Sequence, residues 1–126
     1  MAAPNIVSVT TIYGKTAYLT PSDTSANVLL ANSASSGKVL KINQIVAANV
    51  DGTNAVDVSV AVNTAAAGSG TSYPIVSTVA VPADASLIVV DKTTAIYLEE
   101  DKSIVVTSGT ADKIAYTISY EEISAA

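Results

Sequence analysis

The clearest pattern in the chain is an alternation of apolar and polar residues with a period of two. In segment 56–63, valines at the even positions alternate with Asp, Ser, Ala and Asn. Segment 114–120 repeats the pattern, with Ile and Tyr at the even positions and Ala, Thr and Ser between them. Because successive side chains of a strand point to opposite faces, both segments are predicted to be strands with one buried face.

Two short apolar runs, Leu87–Val90 and Ile104–Val106, lack this alternation and are predicted to be strands buried on both faces. Weaker β patterns predict further strands at Ile6–Tyr13, Thr16–Leu19, Asn27–Ala31 and Lys38–Ile42. No segment combines helical periodicity with capping signals. We therefore expect eight or nine strands and no helix.

Turn residues separate the predicted strands. Asp51-Gly52 is the strongest short signal for a hairpin, and Ser108–Asp112 is predicted to close the last hairpin. The remaining turns and loops are predicted at Ser33–Gly37, Ala65–Thr71, Val81–Ala85 and Glu99–Lys102. Such spacing is typical of an antiparallel β-sandwich or jelly roll, so we predict one all-β domain over residues 1–126, with 1–6 as a flexible N-terminal arm.

The composition argues against catalysis. The chain has no His, Cys or Arg, so it lacks the commonest general base, the thiol nucleophile and the bidentate clamp for phosphate or carboxylate. Ser and Thr are plentiful, but no ordinary nucleophile–base pair can form without His. We predict that the protein is not an enzyme and holds no cofactor or metal.

The charge of the chain limits the classes of molecule that it is expected to bind. The net charge is −5 and the six Lys residues are scattered, which predicts no binding to nucleic acid or to an anionic membrane. Only 13% of the residues are charged, against about 25% in an average domain. A surface this poor in charge loses little on desolvation, which favours burial against other copies or a host lattice. The N-terminus lacks signal-peptide features, so we expect a soluble protein made in a cytoplasm.

Three acidic segments and one glycine-rich loop contain residue types that occur in binding or catalytic sites. Glu99-Glu100-Asp101 is predicted to be a solvated turn, and Glu121-Glu122 the fraying end of the last strand. The segment Asp51–Asp57 lacks the alternating ligands and distal Glu of a calcium loop. Gly68-Ser69-Gly70 is followed by neither Lys nor a helix, so it predicts no phosphate loop.

The six tyrosines are the only aromatic residues. Tyr116 and Tyr120 share a strand face with Ile114 and Ile118, which favours core packing. The other tyrosines could serve an interface or stack against sugars, although carbohydrate sites usually use Trp as well and this chain has none. They are Tyr13, Tyr18, Tyr73 and Tyr97.

The sequence resembles small virion structural proteins of tailed phages, particularly cyanophages and other marine phages. The resemblance covers about residues 36–124, and the N-terminus more weakly. It is carried by segments of strand and turn, not by an active-site motif: Ser36–Asn43, Ala48–Ala55, Ser77–Leu87, Ile96–Asp101 and Ser119–Ser124. Family members often have Gly near positions 100–101, where this chain has Glu100-Asp101 followed directly by Lys102.

The resemblance implies a virion component. Head decoration fits best, which implies a capsid cement protein that self-associates, as a trimer by preference, and binds the lattice of the major capsid protein on the virion surface. A tail, neck or fibre component is the near alternative. A surface module for carbohydrate binding or adhesion is a third possibility. Sheet edges and the arm at residues 1–6 could reach a neighbour by strand addition.

Overall fold

The structure, a computed structural model, describes Val7 and residues 9–124. These residues form nine strands and one turn of 3₁₀ helix, and no helix among them is long and apolar enough to cross a membrane. The elements are β1 (Thr11–Leu19), β2 (Asn27–Asn32), β3 (Lys38–Asn49), β4 (Val56–Asn63), β5 (Ser72–Val81), β6 (Ser86–Val90), the 3₁₀ turn (Lys92–Thr94), β7 (Ile96–Leu98), β8 (Lys102–Ser108) and β9 (Ile114–Ser124).

The strands form two antiparallel sheets. The first has the order β1-β9-β3-β6, with β7 also paired to β3, and the second has the order β2-β8-β4-β5. β6 pairs with residues 45–48 of β3 and β7 with residues 40–42, so together they fill one strand position that the 3₁₀ turn interrupts. Two layers of four positions with this connectivity form a jelly roll, which confirms the predicted β-sandwich.

The core lies between the inner faces of the sheets and consists mainly of branched aliphatic side chains. Its largest fully buried members are Tyr116, Ile42, Ile45, Leu98, Ile104, Ile114 and Ile118. Burial of each such side chain contributes roughly 1.5–3 kcal/mol. The Tyr116 hydroxyl lies 3.0 Å from Ser108 Oγ and donates to the Thr107 carbonyl at 3.1 Å. Burial raises the pKa of Tyr116, so the phenol stays neutral in the core.

Several strand predictions are confirmed and two need correction. β4 has the predicted bounds, β2 ends one residue later than predicted, and β9 runs on to Ser124. The segments predicted as two strands, Ile6–Tyr13 and Thr16–Leu19, instead give the single strand β1 within the described residues. The predicted N-terminal arm, residues 1–6, lies outside them.

The two runs predicted to be buried on both faces differ in outcome. Ile104, Val105 and Val106 are all buried, as expected. In contrast, Ile88 is 60% exposed, because β6 is an edge strand and the outer face of its sheet is open at this point. The burial of Val105 on the outer face of its own sheet has a specific cause, which is the loop between β4 and β5.

The β4–β5 loop, residues 64–71, folds back over the outer face of the second sheet. Ser103 Oγ donates to the Ala65 carbonyl at 2.7 Å, and the Asn63 side chain accepts the amide hydrogens of Ala65 and Gly70 at 3.0 Å. The loop predicted at Ala65–Thr71 is therefore held by hydrogen bonds. Gly68 fits closely because it has a φ of +77° and because a Cβ at this position would meet Val105 Cγ1 at 3.2 Å.

The turn at Asp51-Gly52 does not form the predicted hairpin. It joins β3 of the first sheet to β4 of the second, and Ser108–Asp112 likewise carries the chain from β8 to β9 across the two sheets. Among the described strands, β4 and β5 are the only consecutive pair that forms a hairpin. The correction follows from topology, because turn chemistry predicts a reversal of direction but not the sheet that the chain enters next.

Three buried asparagines end β2, β3 and β4 and hold the loops that follow. The side-chain amide of Asn49 donates to the carbonyls of Val81 at 2.9 Å and Asn54 at 3.0 Å, and its oxygen accepts the amide hydrogen of Asp51. Asn32 donates to the carbonyls of Lys38 and Leu98, and Asn63 donates to the Gly70 carbonyl and to Ser72 Oγ. Each side chain satisfies backbone groups that a buried loop would otherwise leave unpaired.

We expect Gly68→Ala to destabilise the fold by about 1–3 kcal/mol, because the new methyl group meets Val28 and Val105 at a backbone conformation that alanine disfavours. Gly52→Ala is the matched control, since its Cβ would meet only ordinary contacts at 3.7 Å or more. Chemical denaturation measures both variants. Equal stabilities for the two would contradict the described packing of the loop.

We expect Asn49→Ala to lower the free energy of unfolding by about 2–3 kcal/mol, because the carbonyls of Val81 and Asn54 lose a buried donor. Gln44→Ala, at an exposed position of the same strand, should change stability by less than about 0.5 kcal/mol. Urea unfolding measures both variants, and the dependence of the free energy of unfolding on urea concentration should stay unchanged. If Asn49→Ala lowers the free energy of unfolding no more than Gln44→Ala does, the role of Asn49 as a buried hydrogen-bond donor is contradicted.

Candidate functional site

The acidic segment Glu99-Glu100-Asp101 forms the predicted turn between β7 and β8, but Glu100 is partly buried and not solvated as expected. Glu99 is exposed, Glu100 Oε2 accepts the amide hydrogen of Gly37 at 3.1 Å, and Asp101 Oδ1 accepts that of Ala66 at 3.3 Å. Glu100 and Asp101 thus reach two different loops and fasten them to the turn. Among the described residues, no group of three His, Cys, Asp or Glu side chains is arranged to hold a metal ion.

The pair Glu121-Glu122 does not belong to a fraying strand end, which corrects the prediction. β9 remains paired between β1 and β3 up to Ser124. Glu122 accepts ion pairs from Lys15 of β1 at 3.0 Å and from Lys38 of β3 at 3.2 Å. Partial burial works to raise the pKa of Glu122, but the two lysines outweigh it, so this pKa lies below its usual value. Glu122 therefore ties three strands together.

The remaining predicted loops have structural roles. Asp51 Oδ1 accepts the amide hydrogens of Thr53 at 2.8 Å and Asn54 at 3.1 Å, and these bonds lower the pKa of Asp51. Asp57 lies apart from them in β4. The segment is a turn, as predicted. Gly68-Ser69-Gly70 belongs to the loop that covers the second sheet, where Gly68 and Gly70 donate their amide hydrogens to the Ala65 carbonyl and to Asn63 Oδ1.

The tyrosines divide into two groups. Tyr116 is fully buried and Tyr120 packs against the core, which confirms the prediction for both. The other four are exposed and lie on three different strands, two on β1, one on β5 and one on β7: Tyr13, Tyr18, Tyr73 and Tyr97. The exposed rings thus belong to strands at three different sheet edges, which makes these edges the next surface feature to describe.

Three of the four sheet edges are irregular. β2 has a register shift between Val28 and Leu30. β5 contains Pro74, two register shifts against β4, and Thr78 with a φ of +52°. The edge formed by β6 and β7 is interrupted by the 3₁₀ turn. Proline, bulges and short strands are the devices that keep sheet edges from pairing with other chains.

β1 is the regular edge. Its nine residues pair with β9 in one unbroken register, and its other side pairs with no described strand. Ile12, Tyr13 and Tyr18 are 55%, 56% and 80% exposed along it. We call this strand, Thr11–Leu19, the β1 edge. Sequence reasoning missed it because the pattern around Gly14 and Lys15 divided the segment into two predicted strands.

Comparison with known proteins gives a likeness of fold. No protein-family model matches the chain, and no curated protein matches it in sequence. Among solved structures, a chain of the T13 particle of infectious bursal disease virus matches with a TM-score of 0.50 at 6% identity, over 93% of this chain and 32% of that chain.

Chains from two strains of the same virus match more weakly. The Gx strain gives a TM-score of 0.44 at 8% identity, over 90% of this chain and 33% of that one. The Gt strain gives 0.41 at 6% identity, over 94% and 32%. This chain therefore spans about a third of the length of the viral chains it matches. At such identities the likeness shows the fold alone, a jelly-roll β-sandwich.

We expect Glu122→Gln to lower stability by about 0.5–1 kcal/mol at neutral pH. The folded pKa lies below the unfolded value of about 4.3, so the carboxylate stabilises the fold above that value and loses this contribution as the pH falls through the folded pKa. The difference from the wild type should therefore shrink towards pH 3. Unfolding curves measured between neutral pH and pH 3 test this pH dependence, with exposed Glu99→Gln as the control. A difference that does not vary with pH would contradict the ion-pair account.

Proposed function

We propose that this chain is a structural protein of a bacteriophage virion that acts by binding neighbouring proteins. The observation that carries the proposal is the jelly-roll topology, since double-sheet jelly rolls are a recurrent architecture of viral capsid proteins. The fold likeness to a chain of an icosahedral virus particle supports it. The resemblance in sequence to virion proteins of tailed phages points in the same direction.

The side-chain chemistry supports a non-catalytic role. The chain has no His, Cys or Arg. Its partly buried carboxylates are engaged in fastening loops or strands, as Glu100 does with Gly37 and Glu122 with two lysines. A catalytic carboxylate needs a perturbed environment inside a cleft that admits a substrate. Glu100, Asp101 and Glu122 instead bind backbone amides of neighbouring loops or lysine side chains.

The finer proposal is a cement or decoration protein on the capsid surface. It would self-associate, as a trimer by preference, and bind the major capsid protein lattice where many weak contacts repeat. The low content of charge suits a surface that is covered in the assembly. The alternative is a tail, neck or fibre component, which the same fold and surface would suit.

A carbohydrate-binding module is the less favoured candidate. Sugar sites stack rings against grouped aromatic side chains, whereas the exposed tyrosines are distributed over β1, β5 and β7. Tyr13 and Tyr18 lie on opposite faces of β1, because five positions separate them in a strand of period two.

The experiment is cryo-electron microscopy of purified particles of the phage that encodes this chain, with mass spectrometry of the same sample. We expect the chain in the particles at high copy number, with density for the sandwich over the capsomer junctions. Density in the neck, tail or fibres would replace the cement role by the alternative. Particles that lack the chain altogether would overturn the virion proposal.

A further inference from the structure

We propose that the β1 edge joins two copies of this chain as antiparallel strands about a two-fold axis at Lys15, which merges their first sheets into one. This inference goes beyond the proposed function, because it concerns how copies meet and would hold in a protein outside a virion. It is also separate from the trimer implied by the sequence resemblance, since a two-fold contact uses one edge and leaves the rest of the surface free.

β1 is chosen because it differs from the other three sheet edges in its regularity. An unpaired strand edge presents a row of backbone donors and acceptors that another strand can satisfy. β2, β5 and the β6–β7 edge each carry a bulge, a proline or a break. β1 carries none of these over its nine residues, and it exposes three large apolar side chains instead of a row of charges.

A second copy of β1 is the expected partner strand because β1 is self-complementary. A two-fold axis perpendicular to the sheet keeps each face continuous and allows pairing over the whole strand when Lys15 lies opposite Lys15. That register places Ile12 of one copy opposite Tyr18 of the other, twice by symmetry. Both side chains lie on the outer face, since Ala17 and Leu19 face the core. Aromatic and β-branched residues form favourable cross-strand pairs.

The other positions of this register also match in size. Tyr13 lies opposite Ala17, and Gly14 lies opposite Thr16, so each larger side chain meets a smaller one. An added Cβ at Gly14 would meet nothing within 4 Å in the single chain, so this outer face is open to a neighbour. Apart from Lys15 at the axis, the Ile12–Tyr18 pair is the one position that places two large side chains opposite each other.

The apolar pair extends a row already present in each sheet. Ile12 is the strand partner of Ile123 in β9, and Ile123 is the partner of Val39 in β3. Val39 and Ile123 are each only 5% exposed, although they lie on the outer face. Tyr18 of the second copy would add the next member, so Val39, Ile123, Ile12 and that Tyr18 would form one continuous row across the axis.

Charge permits the contact in spite of the acidic chain. The β1 edge contains no carboxylate, and its single charge is Lys15. Two lysines at the axis would repel each other, but each is paired with Glu122 of its own chain at 3.0 Å. Glu121 on the neighbouring strand lies 4.0 Å from Lys41. The two copies therefore meet where each carries locally balanced charge.

Cysteine cross-linking tests the register directly, because the natural chain has no cysteine. In the doubly substituted chain Ile12→Cys with Tyr18→Cys, the two thiols of one copy lie six residues apart, about 20 Å, so they cannot bridge within a strand. Across the axis they are directly opposite, near the separation that a disulfide spans. We expect mild oxidation to convert most of the purified chain to a covalent dimer.

The single variants Ile12→Cys and Tyr18→Cys are the controls and should remain largely monomeric on denaturing gels. Efficient dimer formation by either single variant would overturn the register. Failure of the double variant to cross-link at concentrations up to about 1 mM would overturn the contact itself. None of these results bears on whether the chain is present in virions, which the particle experiment decides separately.

A second measurement keeps the native side chains in place. Sedimentation velocity of the wild type should show concentration-dependent self-association, and Tyr18→Lys should weaken it by about tenfold or more by placing a charge against Ile12. Tyr73→Lys is the matched control, an exposed tyrosine on the edge that contains Pro74, and should associate as the wild type does. Equal weakening by both variants, or a monomeric wild type at every concentration, would contradict the proposal.

Discussion

The contact between the inner faces of the two sheets is the interaction on which the rest of the structure depends. It is made almost entirely from valine, isoleucine and leucine, with Tyr116 as its largest fully buried member. The one polar atom that Tyr116 brings into this layer is satisfied by Ser108 and Thr107. The core therefore stabilises the sandwich through many small apolar contacts.

The loops and the charged side chains stabilise this sandwich. Asn32, Asn49 and Asn63, at the ends of three strands, hydrogen-bond to backbone groups of strand ends and loops. Glu122 joins β1, β9 and β3 through two lysines. Asp51, Glu100 and Glu122, which the sequence offers as members of possible sites, are used in building the fold. What the molecule offers to other molecules is its outer surface, and β1 is the part of that surface where the backbone itself is regular and unpaired by any described strand.

Period-two alternation predicted the strands well because it reports burial on one face, as in β4, whose bounds match the prediction. It could not predict how strands are distributed between sheets. The Asp51-Gly52 turn therefore suggested a hairpin where the chain crosses between layers. The same pattern does not distinguish the burial of Ile88, which is exposed on an edge strand, from that of Val105, which the β4–β5 loop covers. The roles of Asn49 and Glu122 depend on partners from distant segments, which local pattern does not contain.

Amide hydrogen exchange, compared between the free chain and the same chain in purified virus particles, tests most directly whether the protein works through its surface. The account predicts slower exchange in particles at exposed strand edges, β1 among them, while the core strands β8 and β9 exchange slowly in both samples. Identical exchange at every segment in the two samples would contradict it, because a protein that functions by being packed into an assembly must be protected there.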